Sequence, residues 1–175
     1  MAALSYSYLI TKTVQSTGDN LSISTYGLWS VLSIIVGSTV FIKGGDYRTV
    51  VVYGIGAIAT TAILIEKGKL ITWSGLDTVV AILVIICLIM WKRSGEIPAL
   101  KIAVFAGTLA ALPYLGLCWK TPLDSPIIAN IGFLIANGSG LIASKNWEPE
   151  HHLYFSANTA LCFLLVLPWV IAKAL

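Results

Sequence analysis

The chain has 175 residues, 57% of them hydrophobic and only 11% charged, with a net charge of +3 and a mean hydropathy of +0.87. A soluble domain carries roughly 25% charged residues, so this composition excludes an ordinary soluble fold and predicts an all-α, polytopic integral membrane protein. Continuous rather than alternating apolar runs speak against a β-barrel, and with no basic cluster longer than Lys92–Arg93 a nucleic-acid partner is not expected.

The opening stretch, "MAALSYSYLITK", has no basic start and no small-residue cleavage site, so it is not a signal peptide. Its ten residues to Ile10 would reach, at about 1.5 Å per residue, only about half of a ~30 Å hydrocarbon core. Either the first helix is shortened or the sequence as given starts late. Six longer apolar segments follow, predicted as spans at 25–42, 49–65, 77–91, 102–119, 126–143 and 152–172. The third is short: it starts at Asp77, which would then serve as N-cap, or earlier, near Leu70.

The connections "KGGDYR", "EKGKLITWSG", "KRSGEIPALK", "KTPLDS" and "SKNWEPEH" hold most of the charges, so residues 1–175 form a single membrane domain whose first partner is the lipid bilayer. Trp73, Trp91, Trp119, Trp147 and Trp169 fall near span ends, where an aromatic belt places them. Trp29 lies one turn inside the first clear span. If all six spans cross, one face receives Lys43, Arg48, Lys92, Arg93, Lys101 and Lys145, and the other Lys12, Lys67, Lys69, Lys120 and Lys173. That bias is too small to orient the chain.

The sequence also carries an internal repeat. From Tyr8 and again from Tyr114 it runs Tyr-Leu, Lys-Thr, a polar hairpin with Asp and Ser, a span, a Lys-led polar turn with an acid, and another span. Lys12 aligns with Lys120, Lys43 with Lys145, and Asp46 lies close to Glu148. The plan is a repeat over about 1–66, a linker helix at about 77–91 and a second repeat over about 102–175. A single linker helix gives both three-helix units the same orientation, so they are parallel repeats about an axis along the membrane normal.

"KTVQSTGDNLSISTYGLW" and "LPYLGLCWKTPLDSPIIANIGFLIAN" resemble the two copies of the PQ-loop and SWEET transporter superfamily, which includes sugar-carrying SWEETs, half-size SemiSWEETs, PnuC-type carriers and KDEL receptors. The resemblance implies alternating access with prolines as hinges, here Pro113 and Pro126. Tyr114 follows Pro113 where the family has glutamine, and the first copy has Ser5 and Ser24 at the two proline positions. The resemblance also implies a pocket asparagine in the last span, matched by Asn158, whose first-copy counterpart lies near Gly56.

The residues themselves argue for neutral chemistry. Asp46, Glu66, Asp77, Glu96, Asp124, Glu148 and Glu150 sit at span ends or in loops, and Asp19 in the first hairpin, so no relay for proton coupling lies mid-membrane. His151 and His152 adjoin Glu148 and Glu150 but point about 100° apart on a helix, which suits a solvated cluster rather than a metal site. Cys87, Cys118 and Cys162 read as small core hydrophobes. With no catalytic constellation, an enzyme, a metal and a cofactor are not expected.

Asn130, Asn137, Ser139, Asn158, Thr60 and Thr61 are the neutral polar groups inside spans. They suit a neutral solute, whose hydrogen bonds to water they can replace. Trp29 reads as helix packing or as a stacking wall. Gly132, Ala136 and Gly140 form a small-residue ridge, as do Ala103, Gly107 and Ala111. The ridges are expected to face each other or a neighbouring subunit, with Asn137 beside the first as interhelical glue.

The functional expectation is a carrier of a small neutral polar solute (sugar, nucleoside or vitamin type) by facilitated alternating access. Its binding residues would be Asn158, Asn130, Asn137 and Trp29. The alternative is a non-transporting membrane subunit, partnered by copies of itself or by other subunits of a complex.

Overall fold

A computed structural model describes residues 1–15, 23–44, 47–68, 73–143 and 149–175. Their regular structure is entirely helical: α1 (Ala2–Gln15), α2 (Ile23–Ile42), α3 (Arg48–Glu66), α4 (Gly75–Ser94), α5 (Glu96–Ala110), α6 (Leu112–Lys120), α7 (Ile127–Ala143) and α8 (Pro149–Ala174), with one 3₁₀ turn at Pro122–Asp124. Taking α5 and α6 as one broken segment, five stretches are long and apolar enough to cross a membrane: α2, α3, α4, α5–α6 and α8. α7 has 17 residues and α1 has 14. At about 1.5 Å per residue α1 spans roughly 21 Å, short of a ~30 Å core.

Local chemistry explains where the helices differ from expectation. Asp77 is not the N-cap of α4; Ser74 is, and Asp77 sits three residues in. The Asp77 carboxylate accepts from the Ser74 N–H (2.8 Å) and hydroxyl (2.7 Å), while the Asp77 N–H donates to Ser74 Oγ (3.2 Å). This capping box satisfies two groups that a bare helix start leaves orphaned. It lengthens the third span from the expected 77–91 to 20 residues.

"EIPALK" was expected in a connection but forms the first turns of α5, where Pro98 costs no hydrogen bond. That leaves Gly95 as the whole link between α4 and α5. Its φ of 90° and ψ of −175° fall in a region essentially reserved for glycine.

The break between α5 and α6 follows from Pro113. Proline has no N–H to continue the ladder, and the Ala111 N–H shortens its reach to the Thr108 carbonyl at 3.2 Å. Past the 3₁₀ turn, Pro126 stands immediately before α7.

The packing order is regular. α3 lies against both α1 and α2, and α8 lies against α7 and against α5 and α6; α7 reaches α6 through the Tyr114–Asn130 hydrogen bond. Across the molecule α1 packs on α7 and α2 packs on α5, while α4 sits outside against α5 and α2.

Small residues make the close approaches. A Cβ on Gly56 would collide with the Tyr6 ring, one on Gly132 with Ser5 Oγ, and one on Gly140 with the Phe155 ring. The two small-residue ridges therefore do not face each other: α7 offers Gly132 to α1 and Gly140 to α8, and Gly107 of α5 lies against Leu32 of α2. The reason is topological, since α8 lies between α7 and α5–α6.

Three apolar clusters fill the interior, and Trp29 packs against all of them. Cys87, Cys118 and Cys162 are buried and unpaired in disulfides. The outer faces are apolar too: Ile34, Ile55, Ile58, Ile82, Ile85, Phe105 and Phe163 are all about half exposed or more. Water disfavours such a surface, and hydrocarbon accommodates it. Polar contacts collect at helix ends, as in Lys43–Glu96 (3.4 Å) and Lys67 Nζ to the Val14 carbonyl. Asp19, Asp46, Lys69, Lys145, Trp147, Glu148 and the side chains of Glu150 and His151 lie outside the described residues.

Candidate functional site

The helices enclose a central cavity lined from α1, α2, α3, α5, α6, α7 and α8, with nothing from α4. It offers about 90 Å³ to the centres of water molecules. One bound water needs roughly 10–15 Å³ on that measure, so several waters or one small solute fit. Among the described residues, no carboxylate, lysine, arginine or histidine lines it. Its walls are neutral, and a charged solute would enter without a counter-charge.

All four residues expected to bind solute line this cavity: Trp29, Asn130, Asn137 and Asn158. Asn130 is 1% exposed; its Oδ1 accepts from the Tyr114 hydroxyl at 3.1 Å, and its Nδ2 has no partner. Asn137, also 1% exposed, donates from Nδ2 to the Tyr53 hydroxyl (2.7 Å) and the Phe133 carbonyl (2.9 Å), with Cys162 Sγ at 3.7 Å. Its Oδ1 is unpartnered.

One buried donor and one buried acceptor without geometric partners thus sit two turns apart on one face of α7. Leaving such groups unmet costs about 1–3 kcal/mol each.

Asn158 is half-buried and turns its Nδ2 back to the Tyr154 carbonyl at 2.9 Å, one turn earlier on its own helix. Its counterpart by sequence, Gly56, serves instead as the notch for Tyr6. Trp29 packs against the core and is among the residues that line the cavity. Its Nε1 donates to the Gly107 carbonyl at 3.1 Å. Pro113 and Pro126 stand outside the lining, at the α5–α6 break and the start of α7. Thr60 and Thr61 bond to carbonyls of their own helix, at Gly56 and Ala57, and with exposed Ser139 they take no part in the cavity.

The residues that sequence reasoning missed are tyrosines. Five of the chain's seven, Tyr6, Tyr26, Tyr53, Tyr114 and Tyr154, line the cavity, beside Phe133. Tyr6 meets Phe133 edge-on at 4.8 Å between centroids and Tyr53 at 5.9 Å, and Tyr154 closes on Tyr53 at 6.3 Å. A signal was present. Tyr53 falls deep within an apolar run, where a phenol needs a polar partner and so marks an interior face. Comparisons with family models, with curated proteins and with solved structures find no match to this chain.

Proposed function

We propose that the chain is a multi-pass membrane carrier that moves a small neutral polar solute, of sugar, nucleoside or vitamin type, by facilitated alternating access. The observation that carries this reading is the cavity. It is central, neutral and walled by aromatic rings, and Asn130 and Asn137 line it, each with one buried amide atom that has no hydrogen-bond partner. A neutral hydroxylated or amide-bearing solute exchanges its water hydrogen bonds for these at little cost.

The packing order supports two three-helix units. In α1–α2–α3 and in (α5–α6)–α7–α8 alike, the third helix lies between the first two, and the first helix of each unit packs on the second helix of the other. That reciprocal contact is what a twofold axis through the cavity would produce, with α4 as linker. In this reading the units rock about the cavity, and the break at Pro113 and the start of α7 at Pro126 absorb the backbone change. The resemblance to the PQ-loop and SWEET superfamily points the same way.

One observation favours a second reading. Both amide hydrogens of Asn137 are spent within the protein, on Tyr53 of α3 and on its own helix, as suits a fixed scaffold subunit. Uptake into liposomes separates the two. The carrier reading expects uptake of at least one member of a sugar, nucleoside and vitamin panel. It also expects Asn130→Ala and Asn158→Ala each to lower uptake about ten-fold or more, the worth of one hydrogen bond to a solute. No uptake of any member, with fixed partners co-purifying, gives the scaffold reading its case.

A further inference from the structure

A second recess opens on the outside of the molecule, in the crevice between α5 and α8. Lys101, Val104, Phe105 and Thr108 line it from α5, and His152 and Leu153 from α8. Val104 and Thr108 also line the central cavity, so this crevice is the outer side of the cavity wall. Most of the recess is apolar, and the Phe105 ring is 58% exposed at its edge.

Its ionisable members are basic, and Thr108 is its neutral polar one. Lys101 is exposed, a turn and a half into α5, and makes no ion pair among the described residues; Glu96, the nearest acid on that helix, pairs with Lys43 instead. His152 lies near the start of α8, where the helix dipole adds partial positive charge and Glu150, two residues earlier in sequence, adds a negative one. The chain enters α5 and α8 from the same face, the one that also carries Lys43, Arg48, Lys92 and Arg93.

A cation whose stem lies along an apolar slot opening on hydrocarbon has the outline of an anionic amphiphile's partner: a phosphate at the basic end and an acyl chain in the slot. We propose that the α5–α8 crevice binds one anionic phospholipid, its phosphate between Lys101 and His152 and one chain along Val104, Phe105 and Leu153. The lipid chain then covers the cavity wall from outside. The inference needs the membrane placement but not the transport reading.

The test is native mass spectrometry of protein reconstituted into vesicles of phosphatidylcholine alone, or of phosphatidylcholine mixed with phosphatidylglycerol, and then mildly delipidated. Wild-type protein is expected to retain phosphatidylglycerol about five-fold over its share of the mixture, the attraction that one lysine supplies near an anionic surface. Lys101→Gln and the slot-filling Leu153→Trp should both lose that preference. Lys120→Gln, at the opposite membrane face, should keep it. Helicity by circular dichroism confirms that each variant is folded; if Leu153→Trp is not, the exposed Lys101→Gln decides. Equal retention of the two lipids by wild-type protein, an unchanged preference in Lys101→Gln, or its equal loss in Lys120→Gln overturns the proposal. Failure to enter either vesicle overturns the membrane placement beneath it.

Discussion

The indole N–H of Trp29 on α2 donates to the carbonyl oxygen of Gly107 on α5, 3.1 Å away. In an unbroken helix that carbonyl would accept from the N–H of Ala111. Here the Ala111 N–H goes to Thr108, because Pro113 has ended the ladder. The helix break thus frees an acceptor, and a tryptophan from the other half of the chain takes it. Trp29→Phe keeps an aromatic ring, though a smaller one, and leaves the carbonyl without its indole donor. We expect a loss of about 1–3 kcal/mol, measured by unfolding in detergent micelles. Full wild-type stability would show that the bond holds nothing together.

Asn137 and Tyr53 join α7 to α3 through a 2.7 Å hydrogen bond between residues 84 apart in sequence. Interhelical bonds between membrane helices couple by about 0.5–2 kcal/mol. A double-mutant cycle with Asn137→Leu and Tyr53→Phe should return a coupling energy in that range. Additive losses would mean that the two side chains are stabilised separately.

Gly132 and Gly138 lie on the same helix and should answer alanine oppositely. A Cβ at Gly132 meets the Ser5 hydroxyl on α1, whereas one at Gly138 has nothing within 4 Å. Gly132→Ala should cost about 1–3 kcal/mol through overpacking. Gly138→Ala should be neutral or gain up to about 1 kcal/mol from helix propensity. Thermal denaturation of both variants checks the pair, and similar melting points would contradict the docking of α1 on α7.

The capping box at the start of α4 gives a local prediction. Ser74→Ala should cost about 1 kcal/mol. Asp77→Ala should cost a similar amount, and the double variant less than the sum, because both side chains belong to one reciprocal arrangement. Amide exchange at the first turn of α4 should rise in each. An unaffected first turn would remove the box from the account of why α4 starts at Gly75.

The sequence by itself determined much of this protein, for a simple reason: hydrophobic runs uninterrupted by charge are a one-dimensional signal. The all-helical class and the approximate positions of the long apolar helices were legible in it. So were Trp29, Asn130, Asn137 and Asn158 as polar or aromatic intruders in apolar runs, and all four line the cavity. Boundaries failed where a single residue's chemistry outweighed hydropathy, at Ser74 and at Gly95.

Only the tertiary structure decided which faces meet. A membrane helix is apolar all round, so no amphipathic stripe announces its inner side. Placing α8 between α7 and α5–α6 turned the two small-residue ridges toward different partners. The same arrangement gathered five scattered tyrosines around one cavity. It also chose which asparagine atoms are buried without a partner: the Asn130 amide nitrogen and the Asn137 oxygen. Hydrogen-bond partners drawn from different helices decide that, and no local reading of the chain contains them.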